Sequence, residues 1–419
     1  MNRHPFRFAL TLLLAASWCV SGTASAAEGE GSYTIETTAS AHTSERAYFL
    51  EGAPHWSELF SRARVQMPLS NHVSLSLGGV IMTQVGNDYS GFGDRSDGRI
   101  DRFALTIDDL VFTGLDVTLG RQDFKLGDGF LLGDGYLDSR AARWNIPLSF
   151  YDGATADWAA GDAHLRGFAL NYSPSYESSV GYRPDGLIVG GEVEVSPGEG
   201  KGLAVSYLQR RDKSAFEDRS RAWSVRGDWT SGAFEVNAEG VLQGGKAGGV
   251  DRAGRGGHAN VIWTGEGKWS PTLRLHYTMV SGDDPATAKD ETFDAWQPSW
   301  NDWSEHYMGD LLASTIGAWS DMRIALVELG VTPREGTGLR LLAHRFDREQ
   351  GSVKPFAYEF DAVVDHDFGK GWTGWIMGGL VKPLDRAKAD FPTPAYTSNL
   401  SSTQLFASLT YKFGGTFKN

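Results

Sequence analysis

From Gly31 to its end the chain alternates apolar and polar residues in about eighteen short segments, joined by connections that are short and long in turn. The segment cores fall at 33–39, 59–67, 73–82, 102–112, 115–124, 151–159, 163–172, 186–195, 202–210, 222–229, 233–242, 257–264, 272–280, 322–332, 339–346, 356–367, 372–381 and 403–413. Most approach the ~9–11 residues that a tilted strand needs to cross a bilayer. Turns such as Pro68-Leu69-Ser70-Asn71, Thr113-Gly114, Ser231-Gly232 and Phe368-Gly369-Lys370-Gly371 follow even-numbered segments, and most are rich in turn-forming residues. Connections after odd-numbered segments are longer, up to the stretch 281–321. The rhythm predicts an all-β fold: a transmembrane antiparallel up-and-down β-barrel of about 18 strands, with short periplasmic turns, long extracellular loops and both termini on one side.

A chain of 419 residues would ordinarily divide into two or three soluble domains, but no linker or shift of composition divides this one. Its 52 glycines and 12% aromatic residues suit turns, strand kinks and interfacial girdles, while its hydrophobicity is too diluted for a helical membrane span. Residues 1–26 read as a signal peptide, with Arg3 and Arg7 before the apolar stretch 8–20 and the small residues Ala24-Ser25-Ala26 at the cleavage site. Residues 27–419 are then a single barrel domain. Cys19, the one cysteine, departs with that leader, which excludes disulfides, thiolate metal sites and covalently attached haem from the mature chain. Loss of the two leader arginines takes the formal charge from −13 to −15, which argues against nucleic acid as a partner. The acidic loops suit either contact with lipopolysaccharide through divalent ions or plain solvation. The expected partners are outer-membrane lipid and lipopolysaccharide, a diffusing solute, and the barrel-assembly machinery. The last is read from the apolar C-terminal parity Leu405, Ala407, Leu409, Tyr411 and Phe413.

Successive strand residues point to opposite faces, so each segment separates into a lipid side and a lumen side. Phe234, Val236, Ala238 and Leu242 share one parity, and Glu235, Asn237, Glu239 and Gln243 the other. Phe356, Tyr358, Phe360, Ala362 and Val364 likewise alternate with Glu359, Asp361 and Asp365, and Leu273, Leu275 and Tyr277 with Arg274 and His276. An Arg or Lys facing lipid at the bilayer midplane costs about 2–4 kcal/mol, so the charged parity belongs to a wet lumen. The same reasoning turns Arg62, Arg64, Gln66, Arg226, Asp228, Arg340 and His344 inward. The lumen is expected to be a surface of mixed charge.

Thr118-Leu119-Gly120-Arg121-Gln122-Asp123-Phe124-Lys125-Leu126-Gly127-Asp128-Gly129 resembles the Gly-Arg-Gln segment of the alginate-export family of outer-membrane barrels. Arg143-Trp144-Asn145, Tyr151-Asp152-Gly153-Ala154 and Ser281-Gly282-Asp283-Asp284 with Phe293 are similar to its later elements. The resemblance implies an eighteen-stranded barrel whose lumen carries arginines that conduct an anionic polysaccharide. Guanidinium groups stay charged and offer carboxylates a planar donor fork. Arg121 and Gln122, with Arg140 and Arg143 from the loop above, are the contacts that the resemblance suggests. The parity of Leu115, Val117 and Leu119 would nevertheless turn Arg121 outward unless a bulge at Gly120 resets the register; the alternative is a rim arginine paired with an acid such as Asp123.

The inward acids Glu235, Glu239, Glu359 and Asp361 would repel a polyuronate, which leaves a porin for small solutes as the alternative, and a barrel enclosing a protein partner as a third reading. Asp128, Asp134 and Asp138 are a candidate Ca²⁺ set, although their spacing matches neither an EF-hand nor a nonapeptide repeat and a turn-rich constriction loop explains them better. Trp296, Trp300, Trp303 and Tyr307 suit either sugar stacking at the mouth or an interfacial belt. No cofactor motif is found, and no serine motif accompanies His276, His344 or His366, so the chain reads as a passive channel and not an enzyme.

Overall fold

A computed structural model describes residues 30–45, 53–87, 94–133, 151–171, 186–212, 219–293, 309, 312, 320–390 and 401–418. The strands are β1 (Glu30–Glu45), β2 (His55–Ser70), β3 (Val73–Asn87), β4 (Arg95–Ile107), β5 (Leu115–Gln122), β6 (Tyr151–Ala160), β7 (Ala163–Asn171), β8 (Gly186–Gly198), β9 (Lys201–Asp212) and β10 (Arg219–Ser231). They continue with β11 (Phe234–Ala247), β12 (Val250–Arg252), β13 (Arg255–Thr264), β14 (Thr272–Val280), β15 (Met322–Arg334), β16 (Thr337–Arg348), β17 (Pro355–Gly369), β18 (Trp372–Pro383) and β19 (Ser402–Lys418). A single-turn helix, α1 (Asp385–Asp390), follows β18.

Each strand pairs antiparallel with its neighbours, and β1 pairs with both β2 and β19, so the sheet closes on itself. β12 extends only the end of β11, while β11 pairs directly with β13, which leaves 18 strands in the wall. Closure satisfies every wall strand on both edges, the condition for crossing lipid with strands. Glu30 stands opposite Lys418, so the two ends of the described wall meet at the short-turn rim.

The outward parity follows the sequence pattern. Leu59, Phe103, Trp223, Leu242, Leu329, Leu341, Phe360 and Leu405 are each at least half exposed on the outside of the isolated barrel, where lipid would cover them. Two segments depart from expectation. The fourth, placed at 102–112, ends at Ile107, because Asp109 takes a left-handed conformation (φ 54°) and its carboxylate accepts the Gly114 N–H at 2.6 Å, closing a turn. Phe356, expected to face lipid, is instead fully buried inside. A register shift between Phe346 and Asp347, opposite Ala357 and Pro355, turns it inward under the Arg348 guanidinium, 4.6 Å above its ring.

The inward face is not uniformly polar. Toward the long-loop rim it carries Trp56, Phe60, Ile188, Leu208, Val241, Ile324 and Phe346, all buried. All of these but Phe60 pack in one cluster with Phe124, Leu126, Phe130, Leu131, Leu132, Phe293 and Leu312 from the long connections. The loops therefore fold into the barrel and supply its core at that end.

Candidate functional site

At mid-height the lumen has two walls of different character. On β2 the period of two puts Arg62 and Arg64 side by side on the inner face. A register shift between Gly78 and Val80 on β3, opposite Arg99 to Arg102 on β4, brings Asp101 beneath them. Asp101 accepts from Arg64 at 2.7 and 3.0 Å and lies 3.0 Å from Arg62 Nε. Gly78 leaves the room for this, since a Cβ there would lie 2.6 Å from the Asp101 carboxylate. Asp123, just past β5, accepts two further bonds from Arg64 at 2.7 and 3.0 Å and stands 3.5 Å from Arg102. Glu36 on β1 is paired across the sheet with Arg62 and lies 3.9 Å from Lys412. Four cations thus share three carboxylates, and among the described residues this wall keeps a surplus positive charge.

Strand β11 stands nine strands from β2 in the ring of 18, diametrically opposite. There Arg226 of β10 reaches Glu192 at 3.2 Å and Glu194 at 3.3 Å on β8. Glu239 of β11 faces His258 of β13 across the strand pair, and Ser224 donates to its Oε1 at 2.6 Å. One arginine and one histidine meet three glutamates, so acids dominate this wall.

The segment 123–133 crosses between the walls. Phe124 packs on Phe168 at 4.6 Å, and the Lys125 carbonyl accepts from Arg166 at 3.4 Å, so the segment leaves β5 inward past β7. It then turns on itself, with Gly129 N–H donating to Leu126 O at 3.0 Å and Leu126 N–H to Leu132 O at 2.9 Å. At the far wall Asp128 approaches His258 at 3.1 Å, and Phe130 stacks on Phe293 at 5.2 Å. The Tyr151 hydroxyl holds the return limb by donating to Gly133 O at 2.9 Å. Burial opposes ionisation of Asp128, but hydrogen bonding and charge from His258, the Phe130 N–H and the charge of Arg226 outweigh it and hold the carboxyl below its ordinary range. A second long connection also enters. Leu312 is fully buried and its N–H donates to Glu359 of β17 at 2.7 Å, and Gly309 lies against Phe346 and the same carboxylate.

A closed barrel with charged walls and infolded loops is channel architecture, and sequence comparison assigns its lineage. The profile of the family described as Alginate export matches residues 50–364, about three-quarters of the sequence. The chain belongs to the alginate export family. No match is found among curated proteins. Solved outer-membrane porins share the fold of this alginate export barrel at low identity. OccAB1 of Acinetobacter baumannii aligns at TM-score 0.63 and 11% identity, covering 92% of this chain and 96% of its own. OpdK of Pseudomonas aeruginosa, solved with vanillate, aligns at 0.61 and 11%, covering 92% and 99%. OccK11 (OpdR) of the same organism aligns at 0.58 and 10%, covering 94% and 99%.

Within this family barrel the residues singled out from sequence separate into three groups. Arg62, Arg64, Arg226, Arg274, Arg340, Glu239, Glu359 and Asp361 stand on the inner face, with Arg274 bound to Glu328 at 2.7 Å, Arg340 3.7 Å from Asp365, and Asp361 3.6 Å from His344. Gln122 also turns inward, where it accepts from Thr155 at 3.2 Å, and Glu235 is exposed at the short-turn end of β11. Arg121 does not join them. The β5 register runs unbroken through Gly120 on both sides, Arg121 stands opposite the exposed Phe103, and its guanidinium binds Asp152 at 2.8 and 2.9 Å on the outer face. The acid at the rim is thus Asp152 and not Asp123. Arg140, Arg143, Asp134, Asp138, Trp296, Trp300, Trp303 and Tyr307 lie outside the described residues. Asp101, Arg102, Glu192, Glu194 and His258 escaped sequence reasoning. The first two depend on a bulge that no residue type announces, and the last three needed only the parity argument carried through β8 and β13.

Proposed function

We propose that this outer-membrane channel passes a small, hydrophilic, carboxylate-bearing solute of saccharide size between its basic and acidic walls. The observation that supports this is the placement of the arginine wall opposite the acidic wall with segment 123–133 drawn across the gap. A solute in that gap meets guanidinium donors on one side, where Arg62 and Arg64 remain about a quarter exposed while bonded to Asp101. Charges partly neutralised by neighbours guide a carboxylate without trapping it, the condition for conduction through a binding site. OpdK was solved with vanillate, a carboxylate, but at 11% identity that likeness speaks for the fold alone. The reading rests on the walls.

Membership of the alginate export family favours a second reading, passage of an anionic polysaccharide chain. Two measurements separate the alternatives. Reversal potentials across a KCl gradient in a planar bilayer should reveal anion preference; cation preference would overturn both readings. Liposome swelling should then be fast with a monomeric uronate and absent with long oligouronates for the small-solute channel, whereas entry of the oligomers would establish the polymer reading.

A further inference from the structure

Three side chains converge where the crossing segment meets the acidic wall. Asp128 comes from the segment, Glu239 from β11 and His258 from β13. Glu239 and His258 are direct partners across the strand pair, so both project from the same face at one height. His258 Nε2 lies 3.1 Å from Asp128 Oδ2 and 3.8 Å from Glu239 Oε2, and the three ligand atoms all fall within 4.8 Å of one another. The Ser224 hydroxyl occupies Glu239 Oε1, which leaves Oε2 aimed at His258. That oxygen is buried, belongs to a side chain only 2% exposed, and has no hydrogen-bond partner among the described residues.

One imidazole nitrogen carries at most one proton, which Asp128 takes at 3.1 Å, so Glu239 Oε2 at 3.8 Å is left with an ion-pair contact to His258 but no hydrogen bond. A single cation could serve all three. Zinc binds imidazole nitrogen and carboxylate oxygen at about 2.0–2.2 Å in tetrahedral geometry, which separates ligand atoms by roughly 3.3–3.6 Å. The observed 3.1 and 3.8 Å bracket that spacing. We propose that Asp128, Glu239 and His258 form a site for a divalent transition ion of the Zn²⁺ class, which fastens the crossing segment to the wall opposite the arginines. Two carboxylates balance the charge of such an ion. Arg226, the nearby cation, is itself engaged by Glu192 and Glu194. Calcium, which takes six to eight oxygens, is poorly suited to a set with an imidazole. Phe130 packs edge-on against the His258 ring at 5.2 Å, and His276 stacks beside it at 5.6 Å, so the imidazole is held in place. The barrel has a second buried cluster of this kind, His344, Glu359 and Asp361, but there Glu359 Oε2 accepts the Leu312 N–H.

The test is calorimetric titration of ZnCl₂ into the full-length protein in detergent after treatment with a chelator. Saturable binding is expected at micromolar or lower concentration, unaffected by excess MgCl₂. Asp128→Asn and His258→Gln should each weaken it more than about tenfold, whereas His344→Gln should leave it unchanged. Asp128 belongs to a loop and is a third exposed, so its substitution does not threaten the barrel, and heat-dependent mobility on gels verifies folding. Absence of binding, or equal affinity in Asp128→Asn, would overturn the proposal, as would loss confined to His344→Gln. Because calorimetry does not involve solute passage, failure of the ion site and failure of the transport reading are separate results.

Discussion

Arg64 and Arg121 make nearly the same bonds on opposite sides of one wall. Arg64 is held between Asp101 and Asp123 in the lumen, and Arg121 grips Asp152 on the outer face at the long-loop end of β5. An outward arginine costs about 2–4 kcal/mol at the bilayer midplane but only about 0–1 near an interface, so the rim tolerates Arg121 where mid-strand would not. The two should respond differently to neutralisation. Arg64→Gln is expected to move the reversal potential toward cations. Arg121→Gln should leave it at the wild-type value and lower stability by no more than about 1 kcal/mol, the range of an exposed ion pair. A shift in selectivity from Arg121→Gln would contradict the outward placement. Gly120 beside it adopts φ +116°, and a Cβ there would collide with the Phe103 carbonyl. Gly120→Ala should therefore lower the unfolding temperature on gels by an amount that matches about 1–3 kcal/mol of backbone strain.

At the scale of elements, the crossing segment 123–133 behaves differently from the strands that hold it. Its own backbone bonds are few, and while Asp123, Phe124 and Gly133 tie its ends, the position of its tip at the far wall depends on Phe130 between Phe293 and His258 and on the Asp128 contact. Truncating a buried phenylalanine in a rigid core costs about 3–5 kcal/mol. A segment with few bonds of its own opens locally before it lets the wall unfold. Phe130→Ala is thus expected to raise single-channel conductance and current noise while the unfolding midpoint of the barrel stays near wild type. An unchanged conductance would mean that the segment does not narrow the path.

For the whole molecule, closure is the decisive contact. β19 pairs with β1 along its length, from Glu30 opposite Lys418 to Glu45 opposite Thr403, and with β18 on its other edge. Removing residues 402–419 would expose two strand edges to hydrocarbon, where each unsatisfied backbone group costs several kcal/mol. Such a chain should show no compact, heat-modifiable band and should be digested by protease where the full barrel resists. A folded band from the truncated chain would require an alternative pairing of β1 with β18.

Much of this was legible in the sequence, and the reason is physical. Lipid demands an apolar residue at every second position of every strand, so strand number, the lipid face and the inward set Arg62, Arg64, Arg226, Arg274 and Arg340 are written locally, with period two. Even the outward parity of Arg121 could be read from Leu115, Val117 and Leu119. Local pattern could not show that Asp101 would be turned beneath two arginines or Phe356 into the core, because a bulge needs both strands to be seen. Nor could it show that inward Ile188, Leu208 and Val241 share one buried cluster with Leu126, Phe130 and Leu131. An inward apolar residue has no place in a water-filled pipe, and it acquires one only when a distant loop folds in to bury it. Alternation therefore determined the wall, whereas contacts between residues a hundred positions apart, Asp128 with His258 among them, determined what the wall encloses.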